Sequence, residues 1–157
     1  MAVQRVSHIG ICVSDLGRAL SFYCDLLGFK PAARASYSGA AVDRLLGLSN
    51  VALRAAWIER DGTRLELLEF TSPGHAGSAA PRAMNALGLT HLSLRVADVA
   101  ATTQQLAEAG VMVLDATRYD DPQRGVAAVF VLDPDGTRVE LVQIPGDPAR
   151  LPGSPAS

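Results

Sequence analysis

Four residues of the types that bind metal ions recur in two pairs, His8 with Glu66 and His91 with Glu140. Two imidazoles and two carboxylates make a mixed nitrogen and oxygen donor set. Such a set suits one divalent ion, Ni, Co, Zn, Mn or Fe, with geometry deciding among them. In a roughly octahedral site, four protein ligands leave two positions, which a substrate with two neighbouring oxygens fills. The ion then polarises a carbonyl and stabilises the enolate formed when the α-proton leaves. The base is a glutamate, Glu140 or Glu66. The cation favours its ionised form, while burial raises its basicity. The sequence does not choose between the two.

Taken singly, these residues carry little weight. A lone strand His is more often a satisfied core group, and a lone strand Glu more often pairs with an arginine such as Arg64 or Arg138. The case rests on repetition. Asp61-Gly62-Thr63-Arg64 returns as Asp135-Gly136-Thr137-Arg138, and each copy runs on through apolar residues to its Glu. His8 lies seven residues before Asp15, and His91 seven before Asp98. Each Asp is a natural N-cap for a helix, because its carboxylate accepts from first-turn amides. Leu16, Ala19, Leu20, Tyr23 and Leu27 then recur at helical spacing before Gly28. Val99, Thr103, Leu106 and Ala109 do so before Gly110. Glycine at C′ tolerates the left-handed backbone that ends a helix. Each copy therefore reads strand, capped helix, then three strands, with Asp-Gly turns before the last strand.

The organisation that follows is an α+β fold of two βαβββ modules, 1–71 and 89–145. A Pro/Gly-rich linker covers 72–88 and a tail covers 146–157. The first module carries roughly eight extra residues, placed between Arg34 and Asn50. Val42 to Gly47 there reads as a short helix, and the excursion is either a surface loop or a lid.

Alternation along the strands decides where side chains point. Ile9, Ile11 and Val13 share one face of the first strand, and His8, Gly10 and Cys12 the other. In the second copy Leu92, Leu94 and Val96 oppose His91, Ser93 and Arg95. The bulky face is expected to pack on the helix and the small or polar face to line a cavity. Glu66 and Glu140 are set among apolar neighbours, where a carboxylate has to be paired or ligated. Arg95 on the His91 face is a candidate contact for an anionic substrate. Trp57, in a predicted strand, is a candidate wall of the pocket.

Composition narrows the function classes. The chain has 157 residues, 48% hydrophobic, and a net charge of -2. That charge provides no field for nucleic acid or an anionic membrane. No stretch of eighteen apolar residues spans a bilayer. No basic n-region and apolar run resembles a signal peptide. Cys12 and Cys24 form no CxxC and read as reduced thiols of a cytoplasmic protein.

The set Val6-Ser7-His8-Ile9-Gly10-Ile11, Phe22-Tyr23 with Leu27-Gly28-Phe29, Leu65-Glu66-Leu67, His91-Leu92-Ser93-Leu94 and Asp133-Pro134-Asp135-Gly136 leading to Glu140 resembles the vicinal oxygen chelate superfamily. That superfamily includes glyoxalase I, methylmalonyl-CoA epimerase, extradiol dioxygenases, and the fosfomycin and bleomycin resistance proteins. The resemblance covers about residues 3–145. It implies paired curved mixed sheets around a metal cavity, a homodimer, and His8, Glu66, His91 and Glu140 as metal ligands. It also implies a metal-dependent isomerase, epimerase or lyase acting on a small carbonyl-containing substrate. Cys12 and Phe70 stand where bacterial glyoxalase I has an Arg and an Asn that grip glutathione. A substrate other than a glutathione conjugate is therefore expected, with Phe70 as a candidate substrate contact. Two alternatives remain open. One is an Fe(II) ring-cleaving dioxygenase using His8, His91 and Glu140. The other is an antibiotic-binding dimer without catalysis, which the 5% aromatic content disfavours.

Overall fold

Each half of the repeat folds on its own sheet. The computed structural model describes residues 2–149, and the chain divides into two units, Met1–Ser78 and Ala79–Ser157. In the first unit the strands β1 (Ile9–Cys12), β2 (Lys30–Ser38), β3 (Ala52–Arg60) and β4 (Thr63–Ser72) form a sheet in the order β1-β4-β3-β2. β1 and β4 are parallel and the other pairs antiparallel. The second unit repeats the plan. Its strands are β5 (Leu92–Arg95), β6 (Val113–Asp121), β7 (Val126–Leu132) and β8 (Arg138–Gln143), in the order β5-β8-β7-β6. The expected α+β architecture of strand, helix and three strands is present in both units. The last residues of the expected tail, 150–157, lie outside the described residues.

The helices start where the caps predict. Asp15 Oδ1 accepts from Arg18 N at 2.8 Å, opening α1 (Leu16–Leu20), and Asp98 Oδ1 accepts from Ala101 N at 2.9 Å, opening α3 (Val99–Glu108). The first helix differs from expectation further along. From Ser21 to Leu26 it widens into a π-helix, with Leu27 N bonded to Phe22 O at 3.1 Å. The wider turn accompanies the burial of adjacent Phe22 and Tyr23, whose rings meet edge-on at 5.0 Å. Gly28 then stops the helix at φ 74°. A Cβ there would also lie 2.8 Å from Arg60 Nη1, whose guanidinium donates to the Leu27 carbonyl. Glycine is required twice over at this position.

The cores sit between helix and sheet. α1 packs on β3 and β4, and α3 on β6, β7 and β8. Ile58, Leu65 and Leu67 are fully buried in the first unit, as are Val129, Val139 and Leu141 in the second. Val13 is buried as its strand face predicts, but Ile9 at the start of β1 is exposed and Ile11 is half-buried.

The two Asp-Gly turns are not alike. Asp61-Gly62 is a two-residue hairpin turn with both residues at positive φ, 50° and 78°, the geometry that suits tightly twisted strands. Asp135-Gly136 instead lies within a longer loop between β7 and β8. Buried Asp133 organises that loop, its Oδ1 accepting from Asp135 N at 2.9 Å and Thr137 N at 2.7 Å. In the 34–50 excursion the expected short helix is present as α2 (Ala40–Leu46), ended by Gly47. Asp43 pins its return, accepting from Asn50 N at 3.1 Å and Val51 N at 2.8 Å.

Candidate metal centre

His8 immediately precedes β1 and His91 immediately precedes β5. The parallel pairing of β1 with β4 sets Gly10 beside Glu66, and the pairing of β5 with β8 sets Ser93 beside Glu140. Each His therefore lies two residues before the position that faces its Glu, on the same side of the sheet. His8 Nε2 stands 2.9 Å from Glu66 Oε2, and His91 Nε2 stands 3.6 Å from Glu140 Oε2. The carboxylates are mostly sheltered, with side chains 13% exposed for Glu66 and 25% for Glu140. Neither Glu takes the arginine partner suggested by its sequence neighbours. Arg64 pairs with Glu59, and Arg138 donates to the Arg82 carbonyl.

Two hydroxyls hold the rings. Ser7 Oγ lies 3.0 Å from His8 Nδ1, and Thr90 Oγ1 lies 2.9 Å from His91 Nδ1. Occupying Nδ1 fixes each ring and leaves Nε2 as the nitrogen turned to the carboxylate, as in metal sites, where the far nitrogen of a ligand His is hydrogen-bonded. Sequence reasoning passed over Ser7 and Thr90. The available signal was a hydroxyl residue directly before each His of the repeat. Within neither unit do the described residues gather three His, Cys, Asp or Glu side chains into one cluster. Each unit brings one His and one Glu together.

The surroundings differ between units. Trp57 is the cross-strand neighbour of Glu66 on β3, half-buried, with Tyr37 edge-on at 6.5 Å. Phe70 lies further along β4 on the Glu66 face and is also half-buried. In the second unit Phe130 pairs with Glu140 across β7 and β8, and its ring meets His91 edge-on at 5.3 Å. Arg95 turns to the backbone rather than to open cavity. Its guanidinium donates to the carbonyls of Asp147 at 2.8 Å, Gly146 at 2.7 Å, and Ile144. It straps down the chain that leaves β8.

The same chain plan occurs in known proteins. A family model described as Glyoxalase/Bleomycin resistance protein/Dioxygenase superfamily matches residues 5–141. The chain belongs to this superfamily. Among curated relatives of the superfamily, a 2-epi-5-epi-valiolone epimerase from Actinomyces is 32% identical over 147 residues, covering 89% of this chain and 79% of the epimerase. A "Probable lactoylglutathione lyase" from Synechocystis is 30% identical over 141 residues, covering 87% of this chain and 92% of the relative. A glyoxalase family protein from Bacillus cereus superposes with a TM-score of 0.80 at 21% identity, covering 93% of this chain and 97% of the other. It shares the fold of the superfamily. Among the described residues no helix is long and apolar enough to cross a membrane.

Proposed function

We propose that His8, Glu66, His91 and Glu140 together hold one divalent ion, and that the protein is a metal-dependent isomerase, epimerase or lyase. Its substrate is a small molecule with a carbonyl and a neighbouring oxygen. The observation that carries this is the recurrence of one arrangement in both units: an Nε2 facing a carboxylate oxygen, with Nδ1 already engaged by a hydroxyl. A lone His–Glu contact is often only an ion pair, whereas two at equivalent repeat positions fit a four-donor centre. The donor set suits Ni, Co, Zn, Mn or Fe.

The bound ion supplies a Lewis acid to polarise the substrate carbonyl. The chain supplies the proton transfers. One of Glu66 and Glu140 takes the proton from the carbon beside the carbonyl; for an epimerase the other gives a proton to the opposite face, and for an isomerase the first returns its proton to the neighbouring carbon. Trp57, beside Glu66, and Phe70 present apolar surface that shelters the carboxylate from bulk water. The epimerase among the relatives supports proton transfer over ring cleavage, and family resemblance extends the proposal to a homodimer. Cys12 and Phe70, in place of an Arg and an Asn that grip glutathione in bacterial glyoxalase I, favour a substrate other than a glutathione conjugate.

The test uses metal-loaded protein in deuterium oxide with small α-hydroxycarbonyl compounds. Deuterium entering at the carbon beside the carbonyl, faster than with metal-stripped protein, is expected for at least one of them. Oxygen uptake with catechols and no deuterium incorporation would move the protein to the dioxygenases.

A further inference from the structure

The two donor pairs occupy equivalent places in the repeat, yet they are not equivalent in their support. Ser93 Oγ donates to Glu140 Oε2 at 2.5 Å, at the short end of the range for a hydroxyl donating to a carboxyl oxygen. Ser93 is the strand neighbour of Glu140, and the residue at the same register beside Glu66 is Gly10. A glycine has no side chain to offer there. We propose that Ser93 is a positioning residue that locks the Glu140 carboxylate as the fixed anchor of the ion, while Glu66, lacking this hydroxyl, is the ligand that exchanges more readily.

This rests on the four-donor site proposed above and adds a division of labour within it. A carboxylate held by a neighbouring hydroxyl loses little orientational freedom when it takes up an ion. One without that restraint loses more, so the hydroxyl contributes to affinity without touching the metal. The asymmetry is testable in both directions, because Gly10 has room. A Cβ built on it meets Leu68 Cδ1 at 3.4 Å, which is ordinary contact, and its backbone is not at positive φ.

The experiment measures Co(II) and Zn(II) dissociation constants of the full chain by competition with a chromogenic chelator, with the visible Co(II) spectrum as a second readout. Thermal unfolding of the metal-free proteins controls for folding. Ser93→Ala is expected to weaken binding about tenfold or more, with an altered Co(II) spectrum and unchanged metal-free unfolding. Ser93→Thr, which keeps the hydroxyl, is expected to retain the wild-type constant. Gly10→Ser is expected to bind more tightly than wild type. Ser93→Ala within about twofold of wild type, or Ser93→Thr as weak as Ser93→Ala, overturns the assignment while leaving the four-donor site standing. Wild-type protein that binds neither ion overturns both.

Discussion

His8 Nε2 and Glu66 Oε2 face one another at 2.9 Å, with the carboxylate largely withdrawn from solvent. A nitrogen and an oxygen so placed are bridged by a proton or by an ion. Glu66→Gln keeps the shape but removes the anionic donor. The expected result is a loss of bound metal and at least about a hundredfold loss of turnover, since second-sphere changes alone cost ten- to hundredfold in such sites. Elemental analysis of the purified variant measures the first. A variant that keeps its ion contradicts the ligand assignment.

Arg95 is held by the backbone of its own unit. Its three bonds to the carbonyls of Ile144, Gly146 and Asp147 fasten the segment after β8. Arg95→Ala is expected to lower stability by about 1.5–3 kcal/mol, the range for hydrogen bonds to a charged group, and to leave KM within about twofold of wild type. Urea unfolding and steady-state kinetics read the two effects separately. A large rise in KM with unchanged stability would restore Arg95 as a substrate contact.

Much of this was legible in the sequence, and the reasons are local. Asp15 and Asp98 cap helices because an exposed first turn needs an acceptor, and that need is written in the residue itself. The His and Glu pairs were found because the repeat fixes their register. The misses were long-range or packing-driven. Nothing local says that Arg95 will reach carbonyls some fifty residues away in sequence. The π-helical turn at Ser21–Leu26 accompanies the packing of Phe22 and Tyr23 against the rest of the core. The two Asp-Gly pairs look identical in sequence, but buried Asp133, present before only the second, makes that connection a longer loop. Ser93 lies on the face that strand alternation predicts, but its bond to Glu140 is made across strands far apart in sequence and is not written in local spacing.

Asp133 gives a prediction of its own. It is 4% exposed, and one oxygen accepts from two backbone amides. Asp133→Ala removes the acceptor and leaves those amides to find water. A loss of about 1–3 kcal/mol is expected, measured by urea unfolding of metal-free protein. A loss below about 0.5 kcal/mol, typical of a surface position, contradicts this role.

The cysteines are expected to differ in reactivity. Both are unbridged, with Cys12 exposed and Cys24 half-buried. Burial pushes the Cys24 thiol above the usual cysteine range, and the charge of Asp25 adds to this, against smaller opposing effects of Arg34 and Lys30. A raised pKa means less thiolate at any given pH and slower alkylation. It also means that the fold favours the neutral thiol. Its stabilising contribution is full below the ordinary cysteine pKa and is lost as pH rises through the raised one. Iodoacetamide labelling near neutral pH, read by mass spectrometry, is expected to modify Cys12 first. Equal rates at both sites contradict it.

On the proposed function, two His–Glu pairs from one repeated plan serve a single ion. The most direct measurement is metal content by elemental analysis of protein purified without a metal-affinity tag, beside a His8→Ala/His91→Ala variant. Close to one divalent ion per chain is expected in the wild type and none in the variant. A wild type that takes up no Ni, Co, Zn, Mn or Fe even when these are added contradicts the proposal, and leaves the four residues as two His–Glu contacts in a binding protein.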